Sequence, residues 1–131
     1  TVIIYKHTTR RTMKLETIKE YSRIRDNYPD MSDEANKQLP HKKDEDELEQ
    51  YRRKYLSEME RFCTGVNTEL YDIKTLAKMS GKRLITQYDK YLKGLVEQRR
   101  IASTNLERDS VYCEYETTIN ALKRIKVREI N

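Results

Sequence analysis

Lysine and arginine dominate the residues that could do chemistry in this chain, and their most regular arrangement lies in residues 82–101. Plotted at about 100° per residue, as in an α-helix, this segment separates into an apolar face and a basic face. The apolar face contains Leu84, Ile85, Tyr88, Tyr91, Leu92, Leu95 and Val96. The opposite face contains Lys82, Arg83, Lys90, Lys93 and Arg100, interrupted only by Asp89 and Glu97. Such a helix buries its apolar face in a core and presents the basic face to an anionic partner or to solvent.

A second set of cations lies near the beginning of the sequence, where residues 1–14 contain no acid. This segment has no apolar periodicity, so we predict an extended basic arm, the alternative being a disordered tail. The helix predicted after the arm presents two further cations four residues apart, on one face. The cations of the arm and this helix are Lys6, Arg10, Arg11, Lys14, Lys19 and Arg23. Together the two basic regions predict contact with nucleic-acid phosphates, dependent on salt and indifferent to base sequence.

No catalytic or cofactor-binding pattern accompanies these cations. The sequence lacks GxGxxG, GxxxxGK[ST] and HExxH, and neither histidine has a cysteine or an acid at ligand spacing. Cys63 and Cys113 stand alone and are interpreted as partly buried thiols. Glu114 and Glu116 are two residues apart on a predicted helix, so they cannot share a proton. We therefore predict a protein that is not an enzyme and has no metal, cofactor or small-molecule substrate.

Length, turn residues and charge distribution bound the architecture. The chain has 131 residues, which suits one domain with a modest core. Three glycines and two prolines leave few places to turn, so long helices are expected. The net charge is +5, yet residues 44–49 form an acidic cluster, DEDELE. The two ends of the molecule are therefore expected to face different partners.

Apolar stripes and breaks predict the elements that position the cations. A first helix covers residues 15–28 and ends at Pro29, and a connection follows in which Ser32 caps a short helix. Four amphipathic helices come next, over residues 44–63, 66–79 and 82–102 and from Thr104, where a capping box begins. Gly65 and Gly81 mark the breaks between them.

We predict an all-α fold from these elements, an up-and-down four-helix bundle preceded by a basic N-terminal arm and an extra helix. The domain organisation is an arm over residues 1–14, a first helix and connection over 15–43, and the bundle over 44–131.

A small, basic, tyrosine-rich chain with a basic arm before a helical bundle resembles the major coat proteins of filamentous archaeal DNA viruses, of the lipothrixvirus and rudivirus kind. The segments TVIIYKHTTRRTMK and LETIKEYSRIRDNY, followed by the bundle, carry this resemblance. It is one of architecture and composition, so no residue roles are transferred. The resemblance implies many copies that wrap double-stranded DNA, held in A form, as a nucleocapsid. Some members of this group pair two coat proteins and carry a lipid envelope.

The function expected from this reading is a structural coat protein that binds and wraps double-stranded DNA through phosphate contacts in a filamentous virion. Its partners would be the DNA and further copies of itself or a related coat subunit. It would reside in the virion nucleocapsid, and in the host cytoplasm before assembly. The mean hydropathy of −1.01 favours contact with DNA rather than with a membrane. The alternatives are a helical protein–protein interaction module and a small non-catalytic DNA-binding regulator.

Overall fold

A computed structural model describes residues 2–31, 45–103 and 111–130. Every element within these ranges is helical and none of the described residues forms a strand, so the predicted all-α class is confirmed. The helices are α1 (Val2–Asn27), α2 (Glu45–Asn67), α3 (Ile73–Gln87), α4 (Lys93–Ala102) and α5 (Cys113–Ile130). A 3₁₀ turn, Pro29–Met31, follows α1. A π-helical segment, Tyr88–Leu92, joins α3 to α4 without a loop.

Helix α1 begins at Val2, so the prediction of an extended arm is wrong for residues 2–14. The buried residues Thr17, Tyr21 and Ile24 hold the later turns of α1 against the core. No glycine or proline interrupts the chain before Pro29. Once those packed turns have formed, each further residue adds a backbone hydrogen bond at little cost, and the helix extends towards its N-terminus. The predicted end of this helix before Pro29 is confirmed.

One continuous core joins all the helices. Its residues follow the apolar stripes predicted for residues 44–63 and 82–102, which lie in α2 and in the α3–α4 rod. The fully buried large side chains are Ile24, Met31, Leu56, Met59, Leu76, Leu84, Leu92, Val96, Tyr115, Ile119 and Leu122. Ile18 lies at helical spacing from Tyr21 and Ile24 but is 42% exposed. The buried face of α1 includes Thr17 instead, whose hydroxyl accepts a hydrogen bond from the Asp72 N–H at 2.8 Å.

Gly65 does not end a helix, as the sequence suggested, because α2 runs through it to Asn67. The glycine instead permits a close approach, since a Cβ built there would lie 2.5 Å from the Tyr71 ring. The left-handed residue of the following loop is Glu69, with φ 65°. Helix α3 then begins at Ile73, where the Asp72 side chain caps it, so the helix predicted over residues 66–79 starts too early.

The predicted break at Ser80–Gly81 is a kink inside α3, where Ser80 has φ −156° and ψ 24°. Beyond the kink, helical structure continues through the π segment to Ala102, as predicted for residues 82–102. The predicted short helix after Ser32 and the capping box at Thr104 lie outside the described residues.

The N-terminus of α5 is capped from another helix. The Glu60 carboxylate of α2 accepts hydrogen bonds from the backbone N–H groups of Tyr115 at 2.7 Å and Glu114 at 3.2 Å. Asn67, on the same face of α2, donates to the Glu114 carboxylate at 2.7 Å. These bonds satisfy backbone donors that the helix itself leaves unpaired, and they fix the position of α5 along α2.

Candidate nucleic-acid interface

Helices α1 and α3 line a groove of about 930 Å³, hereafter the long groove. Its cations are Arg10 and Lys14 from α1 and Lys74 and Lys78 from α3. Glu69 and Asp72 also line it, and apolar side chains including Ile18 and Met79 form the rest of its wall. The long groove is therefore a mixed surface with an excess of positive charge.

Thr17 fixes the relative position of the two helices that form the long groove. Its hydroxyl accepts a hydrogen bond from the Asp72 N–H at 2.8 Å and donates one to the Met13 carbonyl at 2.6 Å. The Asp72 carboxylate in turn accepts hydrogen bonds from the Thr75 N–H at 3.1 Å and the Thr75 hydroxyl at 2.6 Å. One of the two acids of the groove is thus engaged in capping α3.

A second concave space, of about 570 Å³, lies at the kink of α3 and is hereafter the kink notch. Half of its ten lining residues are cations and none is an acid. The cations are Arg25, Lys78, Lys82, Arg83 and Lys126. Ser80 and Thr86 add two hydroxyl groups to the wall. The nearest described ion pair joins Arg25 to Asp26, at 3.6 Å between Nε and Oδ1.

The kink notch is concave because small residues of α3 form part of its wall. Ala77 and Gly81 line it together with Lys126, which comes from α5. A Cβ built on Gly81 would lie 2.8 Å from Cε of Lys126 and 3.6 Å from Cβ of Ala77. The absence of a side chain at Gly81 therefore allows a cation from α5 to approach α3 closely.

The long groove and the kink notch share Lys78, so their cations form one surface along α1 and α3. We name this surface the basic face, and it consists of Arg10, Lys14, Arg25, Lys74, Lys78, Lys82, Arg83 and Lys126. The Tyr21 side chain is influenced by two of these cations. Burial raises the pKa of Tyr21, whereas a hydrogen bond with Ser80 and the charges of Arg25 and Arg83 act in the opposite direction.

Four of the cations predicted from the sequence lie on the basic face. Arg10 and Lys14 line the long groove, and Lys82 and Arg83 line the kink notch. The sequence placed these pairs in an arm and in a distant helix. The fold brings them to one side of the molecule because α1 packs against α3.

Two predicted cations are held in contacts within the protein. Arg23 donates hydrogen bonds to the carboxylates of Glu20 at 2.6 Å and Glu58 at 3.1 Å, and these bonds raise its pKa. Arg100 donates to the Glu116 carboxylate at 2.9 Å and to the Val111 carbonyl at 3.0 Å. Arg100 is only 19% exposed, and it links α4 to the chain that begins α5.

The other predicted cations are exposed but line neither the long groove nor the kink notch. They are Arg11 and Lys19 on α1, Lys90 in the π segment and Lys93 on α4. The backbone of Lys6 is helical, and its side chain lies outside the described part of the structure. The structure therefore places Arg11, Lys19, Lys90 and Lys93 outside the basic face.

Sequence reasoning missed four members of the basic face: Arg25, Lys74, Lys78 and Lys126. A signal existed for two of them, because Lys74, Lys78 and Lys82 follow one another at a spacing of four residues. Residues four apart share a helix face. The break predicted at Ser80–Gly81 separated Lys82 from the other two, and because the kink at Ser80 interrupts the helix there, the spacing alone does not place Lys82 on their face. Arg25 and Lys126 belong to other helices, and only the tertiary packing brings them to α3.

Residues 4–122 match a family described as Domain of unknown function (DUF4760). The match spans most of the chain. This chain belongs to the DUF4760 family. The match includes the long groove and every lining residue of the kink notch except Lys126. No curated protein and no solved structure matches the chain.

The described residues contain neither a metal-binding cluster nor a membrane-spanning helix. Within residues 2–31, 45–103 and 111–130, no group of three or more His, Cys, Asp or Glu side chains is arranged to hold a metal ion. None of the helices in those ranges is long and apolar enough to cross a bilayer. The basic face is the candidate functional site in the part of the chain that the structure describes.

Proposed function

We propose that this chain binds double-stranded DNA through its basic face, by contacts with phosphates and without catalysis. Lysine and arginine deliver charge to phosphate oxygens without reading base edges, so binding would be indifferent to sequence. Lys74 and Lys78 lie one turn apart on α3 before its kink, about 6 Å along the helix axis at 1.5 Å per residue, and Lys82 follows beyond the kink. The spacing of Lys74 and Lys78 corresponds to about two phosphates of one strand, at about 3.4 Å each along the duplex axis.

The observation that supports this proposal best is the charge of the kink notch. Five cations line one concave space without an acid among the lining residues. Like charges that share a confined surface repel one another, and a bound anion replaces that repulsion with attraction. A solvated helix surface normally intersperses cations with acids, as α2 does with Glu49 and Arg53 at 2.6 Å. The basic face departs from that pattern at the kink notch, where cations are not interspersed with acids.

We infer that the finer architecture is an up-and-down four-helix bundle. Its members would be α1, α2, the rod formed by α3, the π segment and α4, and α5. Helices α2 and α3 both pack on α5, and α1 packs on both α2 and α3. A loop of five residues, 68–72, joins α2 to α3, and short connections favour antiparallel neighbours. In this arrangement α1 is one of the four helices instead of an extra one.

In its full form, the proposal is that many copies coat one duplex as the nucleocapsid of a filamentous virion. The partners would be double-stranded DNA and further copies of this chain or a related coat subunit. The site of action would be the virion, and the host cytoplasm before assembly. Support comes from the resemblance in architecture and composition to filamentous-virus coat proteins, together with a basic face suited to phosphates.

A helical protein–protein interaction module is the second candidate. Large apolar side chains are exposed on α1 and in the loop before α3, with Leu15 at 58%, Ile18 at 42% and Leu70 at 61%. Ile18 lines the long groove. An exposed apolar side chain in a groove favours a contact with another protein.

Binding assays and electron microscopy test the proposal together. The purified chain is titrated with two unrelated linear duplexes, and the mixtures are imaged at saturating protein. The proposal predicts equal affinity for both duplexes and regular filaments of protein along them. Preference for one duplex would favour a regulator. If the protein associated with itself but had no affinity for DNA, the interaction module would be favoured. If anionic vesicles captured the protein and DNA did not, the basic face would be assigned to a membrane surface.

A further inference from the structure

We infer that the kink notch is also a site for a compact anion that carries several phosphate groups, such as a triphosphate chain or a polyphosphorylated headgroup. This inference goes beyond the proposed function, because it requires no binding of a duplex. It rests on the shape of the notch, on the identity of the groups that line it and on the distribution of acids around it.

The size and shape of the kink notch suit a small ligand in addition to the phosphates that a duplex presents to the basic face. Its volume of about 570 Å³ lies within the range of roughly 300–1,000 Å³ that small-molecule sites occupy. Duplex phosphates are arrayed along a convex cylinder, so few of them can enter a concave site at once. A ligand with adjacent phosphate groups can place several charges inside the same space.

The lining groups provide the donors that clustered phosphates require. Arg25 and Arg83 present planar guanidinium groups that can bind phosphate oxygens in pairs. Lys78, Lys82 and Lys126 supply ammonium groups, which act on phosphate as point charges. The hydroxyl groups of Ser80 and Thr86 can donate further hydrogen bonds. A ligand with several negative charges would meet five cations, of which Arg25 also pairs with Asp26 at 3.6 Å, and no carboxylate among the lining residues.

Contributions from three helices distinguish this notch from a basic stripe on one helix. Arg25 comes from α1, Lys126 comes from α5, and the remaining cations come from α3 on both sides of its kink. The dihedral angles of Ser80 interrupt the regular helix between Lys78 and Lys82. Gly81 leaves the space that the side chain of Lys126 uses. The notch is therefore a product of the tertiary fold, as a selective site requires.

Isothermal titration calorimetry with inorganic tripolyphosphate, at about 0.15 M salt, tests this inference on the whole chain. The notch variant is Lys82→Gln with Arg83→Gln, since both residues are exposed and line the notch alone. The matched control is Arg10→Gln with Lys14→Gln, which removes the same charge from the long groove alone. We expect one tripolyphosphate per chain, a loss of affinity of at least tenfold in the notch variant, and a loss below about threefold in the control.

Equal losses in the two variants, or no saturable binding by the wild type, would overturn the inference. Circular dichroism of both variants establishes that the helices are intact, so that a lost affinity reports on the notch. Vesicles that contain a bisphosphorylated inositol lipid separate the two sources of the ligand. If the vesicles capture the protein and tripolyphosphate releases it, the site binds a lipid headgroup. If the protein binds tripolyphosphate but not the vesicles, the site binds a soluble ligand.

Duplex binding by the same two variants keeps the inference distinct from the proposed function. A wild type that binds tripolyphosphate but no duplex would retain the notch as a small-anion site and remove the DNA proposal. A wild type that binds duplex but not tripolyphosphate would retain the DNA proposal and overturn the small-anion site.

Discussion

Lys126 approaches α3 at Gly81, where an added Cβ would lie 2.8 Å from its Cε. The contact joins the last helix to the kink of α3 and completes the cation set of the notch. The only rearrangement that a Cβ would force is in the outer part of a flexible lysine side chain, because the nearest other atom lies at an ordinary 3.6 Å. A side chain at Gly81 would therefore displace the Lys126 ammonium group more than it would disturb the packing of the core.

Gly81→Ala is expected to leave stability almost unchanged and to weaken anion binding. Alanine favours a helix over glycine by about 0.5–1 kcal/mol, which offsets the cost of moving Lys126. Displacement of the Lys126 ammonium group should lower the affinity for tripolyphosphate several-fold. Urea unfolding and calorimetry of the same preparation measure the two effects. A variant that binds as tightly as the wild type would show that the placement of Lys126 is irrelevant.

Gly65→Ala is expected to destabilise the fold although it makes the same chemical change. Its added Cβ would meet the Tyr71 ring at 2.5 Å, and this ring stacks on Phe62 with 5.0 Å between centroids. A rigid ring in a packed site cannot move aside as a lysine tip can, so a loss of about 1–3 kcal/mol in the free energy of unfolding is expected. Urea unfolding beside Gly81→Ala is the check. Similar stabilities for the two alanine variants would show that Tyr71 has room to shift.

Glu60→Gln is expected to change the pH dependence of stability. Burial raises the pKa of Glu60 above 4.5, although hydrogen bonds from the Tyr115 and Glu114 N–H groups lower it. Because the pKa is higher in the folded than in the unfolded state, the folded state binds more protons just above pH 4.5. The free energy of unfolding contributed by this group therefore falls as the pH rises through that window.

Glutamine does not titrate, so the Glu60→Gln variant should lose this part of the pH slope. At pH 7 its stability should stay within about 1 kcal/mol of the wild type, since the lost acceptor and the avoided burial of a charge oppose each other. Urea unfolding between pH 4.5 and 7 measures both quantities. The control is Glu49→Gln, which removes a carboxylate 45% exposed on α2. If the Glu60→Gln variant kept the pH dependence of the wild type, the raised pKa of Glu60 would be contradicted.

The two cysteines are expected to differ strongly in reactivity. Both are free thiols, Cys63 buried and Cys113 partly exposed. Burial raises the pKa of Cys63 to about 12, so at pH 8 only roughly one molecule in ten thousand would carry the reactive thiolate there. A chromogenic disulfide reagent should therefore titrate Cys113 in the native protein and Cys63 only after unfolding. Rapid reaction of two thiols in native protein would indicate that α2 opens readily from the core.

The helical class and most of the core could be predicted from periodicity, because buried side chains recur at helical spacing in α2 and in the α3–α4 rod. Tyr55, Met59 and Phe62 lie at helical spacing within the helix predicted over residues 44–63, and all three are buried. Helix ends were less predictable. Glycine commonly ends helices, so Gly65 predicted a helix end. Only the structure shows that Gly65 lets the Tyr71 ring approach the backbone of α2 closely.

The candidate site was predictable only in part, because its members come from three helices whose packing no local pattern encodes. Arg10, Lys14, Lys82 and Arg83 were identified from charge alone. Arg100 fulfils the same criterion, yet it bonds to Glu116 inside the protein. A helical wheel records which side a residue occupies and not whether an acid from another helix faces it. The same limitation concealed Lys126, whose place beside Gly81 depends on how α5 crosses α3.

A salt titration of duplex binding tests most directly whether the basic face binds phosphate. The variant is Lys78→Gln with Lys82→Gln, and the control is Lys54→Gln with Arg61→Gln, exposed cations of α2 in a groove that also contains Glu58. Both change the net charge by the same amount. If both lysines of the variant contact phosphate, the slope of log affinity against log salt should become shallower by about 1.8, at 0.9 per contact, while the control keeps the wild-type slope. Equal slopes in all three proteins would contradict the proposed interface.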